Sequence, residues 1–214
     1  MPRNKYPEET VQKILDVSLK LFLEKGYEQT TILEIVDHLG GLTRGAFYHH
    51  FKSKEEVLAA LSDKLFFDNN PFEKVKNETE LNGLQKIKRV IILSYESPEN
   101  ETINIVSVTS LKNPRFLAEL VESNQELLAP LWKELIEEGI KDGSIKTPYA
   151  KPLSELFTLI TNFWYIPSIF PCTKQEFLDK VVFSKDVLDN IGMPVFDDEI
   201  MKYIEDMAGK LELK

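Results

Sequence analysis

Between His38 and Lys54 the chain strings together side chains suited to gripping a polyanion: Thr43-Arg44-Gly45-Ala46, then Tyr48-His49-His50, then Lys52 and Lys54. No aspartate or glutamate interrupts this window, and Arg44, Lys52 and Lys54 give it a charge of +3. A guanidinium offers a rigid fork of donors that matches the major-groove edge of guanine. Hydroxyl, imidazole and ammonium groups suit phosphate oxygens, which set register on a duplex without reading its sequence. Arg44 and His49 are therefore the candidates for base edges, and Tyr48, His50 and Lys54 those for phosphates. Gly45 and Ala46 are small enough to let a backbone come close to DNA, and free N–H groups at a helix start favour phosphate.

Such residues need a frame, and the flanking pattern supplies one. Pro7 with Glu8 and Glu9 opens a first helix whose apolar face is Val11, Ile14, Leu15, Leu21 and Phe22, and Gly26 is its natural stop. Thr31 can cap a short helix carrying Ile32, Ile35, Val36 and Leu39. Gly40-Gly41 breaks the chain, and Thr43 can cap a second short helix running to Phe51. Two short helices joined by a glycine turn and packed on a preceding helix have the layout of a helix-turn-helix. Ser53-Lys54-Glu55-Glu56 is a capping-box pattern that starts the next helix, with Val57, Leu58, Leu61 and Leu65 on one face up to about Asn70-Pro71.

Helical periodicity continues to the end of the chain, with no strand alternation, repeat or low-complexity stretch. The pattern predicts helices from Leu81 to Tyr95 and over residues 102–111. It predicts one long helix over 116–139 that Pro130 would kink, and an apolar one over 152–170. A capping box at Thr173-Lys174-Gln175-Glu176 opens the next helix, and Asp197 or Asp198 caps the last. The fold class is all-α, with about ten helices.

The segment from Thr30-Thr31-Ile32 to Gly45-Ala46-Phe47-Tyr48-His49-His50-Phe51-Lys52-Ser53-Lys54-Glu55-Glu56 resembles the DNA-binding domain of TetR-family transcriptional regulators, over roughly residues 7–65. Gly40-Gly41 departs from the family pattern by adding one residue to the turn. The resemblance implies an N-terminal three-helix helix-turn-helix domain over 1–54 and a C-terminal helical ligand-binding and dimerisation domain over 55–214. It places Thr31, Thr43, Tyr48, His50 and Lys54 on phosphates and Arg44, Gly45, Ala46 and His49 against bases, with Phe47 and Phe51 packed inward. It further implies a homodimer on a palindromic operator in double-stranded DNA, most often as a repressor released by a small-molecule effector that nothing in the sequence identifies. Counting helices puts the dimer interface on residues 152–170 and 174–191 and the effector cavity among residues 84–132.

Other readings find less support. The net charge of −9 opposes indiscriminate binding to nucleic acid or anionic membrane. The leading residues carry no apolar signal core and no stretch nears the roughly 18 apolar residues of a membrane span, so a cytoplasmic protein is expected. One cysteine, Cys172, excludes an intramolecular disulfide framework. His38, His49 and His50 lack a carboxylate or cysteine at ligand spacing, so no metal or other cofactor is expected. Asn77-Glu78-Thr79 and Asn100-Glu101-Thr102 match a glycosylation pattern by chance, in the absence of a secretory signal. There is no phosphate-cradling glycine loop, His-Glu-x-x-His or Gly-x-Ser-x-Gly, which argues against an enzyme. The alternative is a helical protein-binding adaptor without DNA affinity, which would have no use for the cations around Arg44.

Overall fold

Pro7 opens α1 (Pro7–Lys25), where its missing N–H costs nothing, with Glu8 and Glu9 in the first turn and Lys25 in the last. The computed structural model describes residues 7–68, 70–96, 111 and 114–209. Ile14, Leu15, Leu21 and Phe22 are buried along one face of α1. Thr31 Oγ1 accepts the Glu34 N–H at 3.2 Å and caps α2 (Ile32–His38). Thr43 Oγ1 does the same for the Ala46 N–H, also at 3.2 Å, at the start of α3 (Arg44–His50). Gly40 and Gly41 between them have φ of +61° and +97°, so both turn positions lie in the left-handed region that disfavours any side chain. The additional glycine is thus accommodated as a second left-handed residue.

At α4 (Lys54–Asp68) the Ser53 hydroxyl accepts the Glu56 N–H at 3.2 Å, while Glu56 reaches one residue beyond the cap, to the Lys52 N–H at 2.6 Å. The chain divides into two compact units, residues 1–69 with 98–121 and residues 70–97 with 122–214. Within the first, α1 packs on α2 and α4, and α2 on α3. The helix expected over 102–110, the side chains of Leu65 and Tyr95, the second glycosylation-like triplet and the tail 210–214 lie outside the described residues.

The second unit begins with α5 (Pro71–Lys76), capped by the Asn70 side chain on the Phe72 N–H at 2.9 Å. Six residues are too few to show helical periodicity, so the sequence pattern gave no sign of it. Next comes α6 (Gly83–Glu96), which starts two residues later than Leu81. The reason is local: Asn82 and Gln85 exchange backbone-to-side-chain hydrogen bonds at 2.9 and 3.0 Å and define the helix start there. Its first turn is capped a second time from far along the chain. Asp142 Oδ2 accepts the Gly83 N–H at 2.7 Å, and Ser144 Oγ accepts the Leu84 N–H at 3.2 Å. A Cβ at Gly83 would fall 2.2 Å from the Gly139 nitrogen, so the two backbones touch where a larger residue has no room.

The helix α7 (residues 114–142), whose residues up to Val121 count with the first unit, comprises Pro114–Ser123, a π-helical stretch Asn124–Leu128, and Ala129–Asp142. The kink expected at Pro130 takes this form because a proline ring clashes with the carbonyl four residues back. The wider turn, in which the Ala129 N–H bonds to Asn124 O, shifts that register. A second π-helical stretch, Ile160–Trp164, ends α8 (residues 150–164). Pro167 stops this helix short of Phe170, since the residue before a proline avoids helical geometry. The two wide turns meet, with the Asn162 side-chain amide donating to the Asn124 side-chain oxygen. The capping box at Thr173 forms as expected and starts α9 (Lys174–Ile191), and Asp197 rather than Asp198 caps α10 (Asp198–Ala208), on the Ile200 N–H at 3.1 Å.

Core residues of this unit include Ile87, Val90, Ile136, Phe157, Val181, Leu188 and Ile200, all buried. Lys86 is buried against Glu138 at 2.6 Å, and Lys88 reaches Asp197 at 2.6 Å. Counting each π-interrupted run as one helix, there are ten among the described residues and no strand. None of these helices is long and apolar enough to cross a membrane.

Partial burial raises the Asp142 carboxyl's pKa, but bonds from the Ser144 hydroxyl, the Gly83 and Ser144 N–H groups and the charge of Lys86 outweigh it and hold it below the ordinary value. A lowered folded-state pKa adds stability above the unfolded value that is lost as pH falls through the folded one. Asp142→Ala should cost about 1 kcal/mol in urea unfolding at pH 7, the usual worth of a cap, with the gap to the parent closing below about pH 4.

Candidate nucleic-acid interface

Seven residues make two turns, and α3 divides them sharply. Phe47 is fully buried and Phe51, its C-cap, nearly so, with their rings 6.2 Å apart. Thr43, Arg44, Gly45, Tyr48 and His49 are exposed, and Ala46 and His50 are half-exposed. One aromatic edge anchors the helix while the remainder of its surface faces water. No acid stands in its first turn.

The exposed side chains are ordered relative to one another. The Arg44 guanidinium carbon lies 5.8 Å from the centre of the Tyr48 ring, one turn on, within cation–π range. Tyr48 in turn meets Phe47 edge to face at 5.6 Å. Arg44 is thereby held along the outer side of α3 with its donors free for a planar acceptor. The His49 and His50 rings meet edge to face at 5.1 Å. Burial, aided by the neighbouring His49, holds the His50 imidazole below its ordinary pKa.

Gly45 is informative for what the fold does not require of it. A Cβ there would meet only Thr43 Oγ1, at 3.8 Å, and the residue is helical with ordinary φ. Neither packing nor backbone conformation demands glycine, which costs about 1 kcal/mol relative to alanine inside a helix.

Thr31 and Thr43 are exposed caps, each accepting a backbone N–H with its hydroxyl oxygen. Lys54 is placed otherwise. It is half-buried, donating to the carbonyls of Tyr27 at 2.6 Å and Thr30 at 2.9 Å, with its nitrogen 4.1 Å from the centre of the Tyr27 ring. Burial lowers its pKa, against the pull of Glu28 and Glu55. The pattern gives Tyr27 and Thr30 no role toward Lys54. Their signal lies 24 and 27 positions from Lys54 and has no local periodicity to betray it. Among the described residues no group of histidine, cysteine and carboxylate side chains could hold a metal ion.

Residues 14–61 match the family of bacterial regulatory proteins named for TetR. The N-terminal segment of the chain thus carries the helix-turn-helix domain of the TetR family. Among its relatives, the HTH-type transcriptional repressor KstR2 of Mycolicibacterium smegmatis is 28% identical over 174 residues, covering 75% of this chain and 82% of that protein. KstR2 of Rhodococcus jostii is 29% identical over 168 residues, covering 72% and 79%. Of the solved structures, a TetR-family transcriptional regulator from Pectobacterium atrosepticum superposes with a TM-score of 0.59 at 20% identity, covering 89% of this chain and 97% of that one. A transcriptional regulator from Cytophaga hutchinsonii gives 0.55 at 20% identity, covering 95% and 94%. At such identities the likeness is one of fold. The relatives are named as transcriptional repressors, which supports a DNA-binding transcriptional regulator.

Two outcomes are expected of the exposed face. Arg44→Ala should weaken binding to a preferred duplex by about 1–3 kcal/mol and flatten preference at one base pair, measured by titrating a set of single-position variants of the duplex. A change that is uniform over all sequences would move Arg44 to the phosphates. Histidine on phosphate has a bound-state pKa above its free-state one, which for His50 lies below about 6.5. The added affinity is full below the free-state value and is lost as pH rises through the bound-state one. Affinity should therefore fall between pH 5.5 and 8, and His50→Gln should flatten the profile. A flat parental profile would mean that the histidines act as neutral groups.

Proposed function

We propose that this chain is a repressor that binds a palindromic operator as a homodimer in the cytoplasm and is released by a small-molecule effector. The observation that carries the reading is the outer face of α3, where Arg44, Gly45, Tyr48 and His49 are exposed together around a buried Phe47. Thr31, Thr43, Tyr48 and His50 would take phosphates, and Arg44, Gly45, Ala46 and His49 would meet bases. Lys54, which the resemblance also assigns to a phosphate, instead donates to the carbonyls of Tyr27 and Thr30.

Dimerisation is supported by an apolar groove of about 260 Å³ between α8 and α9, lined by Leu156, Leu159, Ile160, Trp164, Phe183 and Val187. Leu159 is 55% exposed and Phe183 59%, which is costly for side chains of this size unless something covers them. A second copy of the chain is the occupant that fits, since a two-fold axis sets the same patch on itself. Two recognition helices would then enter half-sites about 34–36 Å apart, or at multiples of that distance.

An effector site is supported around Trp132, which packs edge to face between Phe72 at 4.6 Å and Phe157 at 4.9 Å. The indole N–H is buried without a hydrogen-bond partner among the described residues. An aromatic surround with one free donor suits an apolar molecule bearing an acceptor atom. Moving the dimer from 1:99 to 99:1 between DNA-bound and released forms takes about 5.5 kcal/mol of differential affinity.

Selection of bound sequences from a random duplex library at physiological salt tests this reading. A palindrome with half-sites one turn apart should enrich, and Phe183→Glu should run as a monomer in sedimentation and lose the paired half-sites. If nothing enriches even at low salt, where phosphate contacts are strongest, the repressor reading falls and a protein-binding adaptor takes its place.

A further inference from the structure

An ammonium group has three N–H donors, and two of those on Lys54 are spent inside the protein. They bond the carbonyls of Tyr27 at 2.6 Å and Thr30 at 2.9 Å, and the Tyr27 ring face lies 4.1 Å below the nitrogen. Both acceptors belong to the connector between α1 and α2, which is itself tightly held. Thr30 is 1% exposed, and its hydroxyl donates to Gly26 O at 2.9 Å and lies 3.3 Å from Leu21 O. The Tyr27 ring packs edge to face on Phe22 at 5.1 Å. Thr31, the next residue, caps α2.

The other end of the tether is equally informative. Lys54 is the first residue of α4 and follows Phe51, the C-cap of α3, by only three positions. Its side chain therefore ties the chain just before α2 to the chain just after α3, closing a loop around the two helices that must present the exposed face. One N–H is left over, but the ammonium is half-buried and pinned by two short hydrogen bonds and the ring, so moving out to follow a phosphate would break them.

We propose that Lys54 is a positioning residue for DNA reading: it holds the α2–α3 pair at a fixed angle through the Tyr27–Thr30 connector instead of contacting phosphate. The inference rests on the DNA-binding reading above, and its test has one arm that needs no DNA. In Lys54→Met, which keeps the stem and removes the charge, amide exchange in the free protein should speed up at Thr30 to Ile35 while the middle of α1 stays protected. Unchanged exchange there would overturn the proposal whether or not the protein binds DNA.

The second arm separates position from contact by salt. Removing a phosphate contact lowers the slope of log affinity against log salt by about 0.9 per contact. Lys54→Met should instead weaken duplex binding about tenfold with the slope unchanged, at a temperature where melting shows the variant folded. A slope reduced by that amount assigns Lys54 to phosphate and overturns the proposal. Lys54→Arg covers the case in which the methionine variant does not fold. Its charge would keep a phosphate contact, but its planar fork does not fit two carbonyls over a ring face. Binding as weak as in the absence of the charge is expected, and full parental affinity would refute the positioning role.

Discussion

A seven-residue helix does not hold its shape in water, because nucleation costs more than two turns return. The recognition helix of this protein therefore depends on the burial of Phe47. With that ring at zero exposure and Phe51 behind it, α3 is fastened along one edge, which leaves Arg44, Gly45, Tyr48 and His49 exposed. Burying a phenyl ring fully is worth about 1.5–3 kcal/mol, comparable to a single good base contact. The arrangement explains why the outer face can carry residues chosen for a partner, such as a glycine that packing does not ask for.

Around that anchor, polar devices add direction to the buried apolar core of the N-terminal unit. Thr31 and Thr43 satisfy N–H groups at each helix start, Lys25 pairs with Glu34 between α1 and α2, and Lys54 stitches the loop between α1 and α2 to the start of α4. Burial holds these helices together, and the directional bonds fix where each one starts. The second unit shows the complementary solution. There, helices approach until backbones touch at Gly83 and Gly139, and the free end of α6 is completed by Asp142 and Ser144 about 60 residues along the chain.

Much of this was legible in the residues. Pro7, Thr31, Thr43, Thr173 and the glycine pair act over four residues or fewer, so their effect survives in any context that allows a helix. The burial of Phe47 and Phe51 against the exposure of Arg44, Tyr48 and His49 was expected from the family resemblance, and the four-residue spacing of the two rings agrees with a helix. Less visible were the short α5, the wide turns before Pro130 and at the end of α8, and the early stop at Trp164. Periodicity cannot resolve six residues, and a wide turn differs from an ordinary one by a single register step.

Local chemistry thus determined from sequence alone that the chain is helical, where most helices start and stop, and which face of α3 is polar. Tertiary structure decided where long side chains go. Lys54 looks from its neighbours like a surface cation beside a DNA-reading helix, yet two carbonyls and a ring 24 to 27 residues upstream take it inward. Trp132 looks like one aromatic among many until Phe72 and Phe157 close on it from distant helices. The reason is reach: a cap meets its partner within one turn, whereas a flexible stem or a large ring finds its place only among groups that folding brings from elsewhere.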